Sequence, residues 1–125
     1  MIKFVQAIGA AALATLMPAF ATVALAHAKL VKDSPAHDAT VKPPADISLT
    51  FNESVEVGFS AIDIKDAAGA AVKTGPLANA GEDKKTIVLP LPAPLTAGKY
   101  TVEWRILTAG DGHKIKGSYS FTAAP

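Results

Sequence analysis

The chain has 125 residues, half of them hydrophobic, with 12 Lys and Arg against 11 Asp and Glu, 3 His, 2 Met and no Cys. A chain of this size buries roughly two-thirds of its unfolded surface, enough for one independent core. The near balance of charge gives no electrostatic case for nucleic acid or an anionic membrane as partner, and the missing cysteines exclude disulfides.

The first segment reads as a leader. Lys3 supplies a short positive start, the run from Phe4 to Leu25 carries no charge, and Ala24-Leu25-Ala26 has the small-x-small form of a signal-peptidase site. A membrane anchor of similar length is the competing reading, and Pro18, the small-residue composition and the cleavage motif all argue against it. The division expected is a cleaved secretory signal over 1–26 and one domain over 27–125. Lys3 is the only charged residue lost with the signal, so acids and bases then balance. Both methionines, Met1 and Met17, leave as well, and the mature chain holds no sulfur.

The mature chain is a series of short alternating runs. Ile47, Leu49 and Phe51 alternate with Ser48 and Thr50, as in a half-buried strand. Ile62 and Ile64 alternate with Asp63 and Lys65, Asp66 to Gly69 reads as a hairpin turn, and Val72 falls in the returning strand. Thr86 to Leu89 is another β-rich run, closed by Pro90, Pro92 and Pro94, which cannot continue a central strand. In Lys99 to Leu107, Tyr100, Val102, Trp104 and Ile106 share one face. Ile115, Gly117, Tyr119 and Phe121 share a face of the last strand. No window shows a sustained helical period. About seven short strands with frequent turns predict an all-β, immunoglobulin-like Greek-key sandwich. Tyr100, two residues after Gly98 at a strand start, has the placement of a tyrosine corner.

The chemistry gathers at two places. Cleavage after Ala26 makes His27 the first residue, so its free amine and imidazole can chelate one metal. Unperturbed pKa values of about 8 and 6.5 offer little proton competition at neutral pH. Asp111-Gly112-His113 lies just after the long strand. In an extended segment Asp111 and His113 would face the same way, with Gly112 removing bulk between them and permitting a bend. By itself, Gly110-Asp111-Gly112 is also ordinary turn chemistry. Together His27, Asp111 and His113 offer nitrogens with one carboxylate, a set that favours Cu(II) over Mg or Ca. Zinc can use the same donors, and affinity order and planar geometry tip the choice to copper.

The run from Tyr100 to Arg105, continuing through Asp111-Gly112-His113 to Gly117 and Phe121, resembles the signature of the CopC family, small periplasmic copper-resistance and copper-homeostasis proteins. Leu30, Ser34-Pro35-Ala36 and Leu49 to Glu53 agree with it at the other end. The resemblance implies a β-sandwich that binds one Cu(II) through the amino-terminal histidine and the Asp-x-His pair, an arrangement called a histidine brace. It also implies a monomeric binding protein rather than an enzyme, and delivery to an inner-membrane importer of the CopD type. Some relatives carry a methionine-rich loop for Cu(I). The corresponding region here, Ala67 to Gly81, has no methionine, which implies a site for Cu(II) alone.

His37 reads as a solvated turn residue or a weak accessory contact, and Glu53, matching a family glutamate, as a structural or outer group near the metal. Lys84, Lys85, Lys114 and Lys116 read as solvated faces, the last two flanking His113 where a partner could touch. Two other functions compete with a copper carrier. A histidine-brace monooxygenase is opposed by the Asp111 carboxylate and the short chain. A metal-free interaction module would gain no stability on adding copper.

Overall fold

The computed structural model describes residues 28–110 and 112–125. The expected signal segment, His27 and Asp111 lie outside them. Among the described residues, eight strands and a 3-10 turn form in chain order: β1 Leu30–Ser34, β2 Thr40–Val41, β3 Asp46–Phe51, the turn Val57–Phe59, β4 Ala61–Lys65, β5 Ala78–Ala80, β6 Thr86–Pro90, β7 Gly98–Leu107 and β8 Lys114–Ala123. They make two four-stranded sheets, ordered β1-β3-β6-β5 and β2-β8-β7-β4. All pairings within them are antiparallel except that of β2 with β8.

The alternation read from the sequence is what closes the sandwich. A strand turns successive side chains to opposite faces. Ile47, Leu49 and Phe51 from β3, and Ile87 and Leu89 from β6, therefore point inward from one sheet. Ile62 and Ile64 from β4, Tyr100, Val102 and Ile106 from β7, and Phe121 from β8 meet them from the other. All are buried in one cluster. The tyrosine corner forms: the Tyr100 hydroxyl donates to the Thr96 carbonyl at 2.7 Å.

The structure differs from the sequence reading in its smaller elements. The turn after β4 is present, with the Asp66 carboxylate accepting from the amides of Ala68 and Ala70 and Gly69 at φ 85°. The returning strand shrinks to one bridge, Lys65 to Ala71, with Val72 N–H donating to Ile64 O. The chain then crosses to the other sheet, where Ala78–Ala80 pairs with β6. Strands β1, β2 and β5 add to the five that alternation reveals. Among the described residues no helix is long and apolar enough to cross a membrane.

Candidate metal site at one end of the sandwich

Three segments distant in sequence are tied together at the end of the sandwich where β3 and β7 finish. The first is the start of the described chain. Lys29 N–H donates to Asn52 Oδ1 at 2.8 Å, and Asn52 N–H donates back to Lys29 O at 3.1 Å. Ala28, next to His27, is buried.

The second segment, Asn52 to Val55, carries Glu53, half-buried between anchored neighbours. Phe51 N–H and Val55 N–H donate to the carbonyls of Lys85 and Lys84, and the Asn79 side chain donates to Val55 O. This segment joins the third through a bridge between Val55 and Thr108 and a bond from Ala109 N–H to Ser54 O at 2.9 Å.

The third segment is the loop from Thr108 to His113. Thr108 is 1% exposed, and its buried hydroxyl is satisfied locally, as such groups must be. It donates to His113 O at 3.1 Å and accepts from His113 N–H at 3.0 Å, while Thr108 N–H donates to the same carbonyl at 2.8 Å. The loop closes on itself around Gly110 and Gly112, which stand at φ 82° and 67°, left-handed values that glycine adopts at no steric cost. The bonds between Thr108 and His113 bring the two ends of the loop together, and Gly112 supplies the bend expected of it. His113 is half-buried at the exit of the loop, one residue before β8.

Of the three expected ligands, only His113 is a described residue. Among the described residues no three His, Cys, Asp or Glu side chains are grouped closely enough to hold a metal. His37 belongs elsewhere. Its Nδ1 lies 3.0 Å from the Asp33 carboxylate, and Asp38 N–H donates to Ser120 O. Along β8, seven residues of strand separate position 120 from His113, about 23 Å at 3.3 Å per residue. Sequence reading passed over Thr108 and the clamping role of Asn52. The available signal was a hydroxyl residue directly before a glycine-rich turn, where side chains commonly bond to nearby backbone.

Fold and site together define a small, all-β domain whose one end gathers the segment around Lys29, a glutamate-bearing segment and a glycine-flanked histidine loop. The chain belongs to the CopC family: the CopC domain matches residues 30–124. Protein YobA of Escherichia coli K12 is 40% identical over 113 residues, spanning 89% of this chain and 90% of that protein. The crystal structure of CopC from Methylosinus trichosporium OB3b superposes with a TM-score of 0.73 at 34% identity, covering 79% of this chain and 95% of that one. PcoC, a methionine-rich copper resistance protein from Escherichia coli, superposes with a TM-score of 0.69 at 33% identity, covering 78% and 98%.

Proposed function

We propose that this chain is an exported, periplasmic Cu(II) carrier or buffer, cleaved after Ala26, that holds one ion through His27, Asp111 and His113. The observation that carries the reading is the stitching of the three segments. Lys29 is bonded to Asn52, Ser54 to Ala109, and Thr108 to His113. A chain that begins at His27 starts two residues before the Lys29–Asn52 clamp, at the same end as the His113 loop.

The donor chemistry suits Cu(II). The amine and imidazole of His27, the His113 imidazole and the Asp111 carboxylate form a mixed nitrogen and oxygen set. Each needs only a neutral or anionic form available near pH 7. Copper here is cargo, and the carboxylate favours the higher oxidation state. PcoC is described as methionine rich, whereas both methionines of this chain precede Ala26. A soft Cu(I) ion would find no thioether in the mature protein. Glu53, at the middle of the clamped second segment, is suited to orient a ligand from outside the coordination sphere.

The test is a Cu(II) titration followed by electron paramagnetic resonance on two proteins, one beginning at His27 and one with a single extra residue ahead of it. The extra residue keeps every side chain and displaces the free amine. Tight binding of one ion in a tetragonal signal is expected for the first only. Equal binding by both would place the site elsewhere, and binding by neither would leave the copper reading without support.

A further inference from the structure

The outer face of the β4-β7-β8 sheet carries a groove of about 450 Å³ lined by Phe59, Arg105, Leu107, Lys114 and Lys116, among others. Phe59 is 76% exposed, the larger of the two exposures that large hydrophobic side chains show among the described residues. It is held there. The Ser60 hydroxyl donates to Glu56 O at 2.8 Å and accepts from Leu107 N–H at 2.9 Å, and Glu56 N–H donates to Leu107 O. These bonds fasten the 3-10 turn to the end of β7 and leave the phenyl ring beside the groove.

The charges on this face are unevenly matched. Asp63 pairs with Arg105 at 3.0 Å and Glu103 with Lys65 at 3.3 Å, so the acids of β4 and β7 are already engaged. Among the described residues neither Lys114 nor Lys116 has an acid within ion-pair distance, and Glu56, the acid nearest along these hydrogen bonds, pairs with neither. Arg105 stands directly across from Lys116 in the β7–β8 register, a like-charge cross-strand pair that works against the fold. Lysines on a strand edge also deter sheet-to-sheet pairing. That role asks nothing of an exposed phenylalanine fixed across the sheet from them.

We propose that this face docks an acidic protein segment carrying one apolar side chain, the carboxylates meeting Lys114 and Lys116 and the apolar group packing on Phe59 and Leu107. Complementary charge steers such encounters and a buried aromatic anchors them. Lys114 is the residue directly after His113, so a segment seated here lies beside the copper loop. That the docked protein is a copper donor or recipient rests on the copper reading above; the docking itself does not. A protein segment fits better than an anionic bilayer, because the feature is a groove and the domain carries no net positive charge beyond its leader.

The test uses the mature protein labelled with 15N and a short synthetic peptide of aspartates around one phenylalanine. Amide shifts confined to residues 56–60, 105–107 and 114–117 are expected. Affinity should fall roughly tenfold or more with Lys116→Glu, through like-charge repulsion, and also with Phe59→Ser. Binding should weaken when the peptide phenylalanine becomes serine. Shifts spread over Lys84 and Lys85 as well, or no saturable binding, would overturn the proposal. So would binding of the protein to phosphatidylglycerol vesicles, or concentration-dependent self-association in sedimentation, if Lys116→Glu abolished either one while peptide binding was absent. Copper titration of the same two variants separates the readings. Unchanged Cu(II) binding with lost peptide binding supports a docking face distinct from the metal site. Lost copper binding in both variants would mean that these substitutions disturb the loop, and the docking assignment would fall.

Discussion

The indole of Trp104 lies over Gly117, its direct partner across the β7–β8 pair. A Cβ on residue 117 would stand 2.8 Å from Trp104 Cε2, inside any real contact distance. The indole fills the space that glycine leaves, edge-on to Phe51 at 6.2 Å between ring centroids and tilted against Tyr119 at 6.2 Å. Gly117→Ala therefore forces the ring from its slot. Stability should fall by about 1–3 kcal/mol, the usual effect of overpacking, measured by urea denaturation. The protein has one tryptophan, so its emission reports the displacement directly. Unchanged stability with unchanged emission would show that the strands part enough to accept a methyl group.

Thr108 closes the loop that presents His113, and its hydroxyl acts there as donor and acceptor at once. Valine has nearly the same shape and can do neither. Thr108→Val should destabilise the protein by about 1–3 kcal/mol, the penalty for leaving buried groups without a partner, while Thr108→Ser should recover most of it. Hydrogen exchange at the His113 amide separates a local effect from a global one: faster exchange at that amide than at the core of β7 is expected in the valine variant. A Thr108→Val protein as stable as the parent would mean that backbone pairing alone holds the loop.

The parts of this architecture legible in the sequence are those where burial writes a period. Strands β3, β4, β6, β7 and β8 each place side chains alternately in and out, and the expected runs match the observed spans within a residue or so at each end. Strand β1 hides because its register slips between Leu30 and Lys32 and Val31 faces solvent. Strand β2 is two residues long, too short for any period, and β5 is Ala-Asn-Ala, a sequence with little strand preference. Tertiary pairing holds all three. At the candidate site, the bend at Gly112 could be read from the sequence, and its φ of 67° matches. The clamps at Asn52 and Thr108 could not, since they depend on contacts that appear only once the sheets have packed.

Tyr119 introduces a pH dependence. Its hydroxyl is buried without a hydrogen-bond partner among the described residues. Burial, with the nearby Asp33 carboxylate adding to it, pushes the phenol well above the ordinary tyrosine range. The folded protein thus holds this proton more tightly than the unfolded chain, whose tyrosines titrate near pH 10. The contribution is fully present below that pH and is lost as pH rises through and beyond it, because ionisation then favours unfolding. Urea melts between neutral pH and pH 11 should show stability falling above pH 10. Tyr119→Phe should lose less over the same interval and be no less stable at pH 7. A parallel decline in the two proteins would assign the alkaline loss to other groups.

His37 and His113 make the sharpest comparison for the copper reading, because the sandwich holds them far apart. His37, in the connection between β1 and β2, pairs with Asp33 through a side chain 68% exposed, while His113 leaves the loop that Thr108 closes. If copper is held at His113 as proposed, an accessory ligand would have to reach the same ion, and the length of β8 between them puts His37 out of reach. His37→Ala should leave Cu(II) affinity and the paramagnetic spectrum unchanged. His113→Ala should weaken binding by more than the roughly 10–100-fold that loss of an outer partner produces, with fewer nitrogen couplings in the spectrum. Glu53→Gln provides the intermediate case, a loss within that range and a spectrum of the same tetragonal type. If His37→Ala altered the spectrum and His113→Ala did not, copper would sit at the Asp33–His37 pair, and the clamped end of the sandwich would need another role.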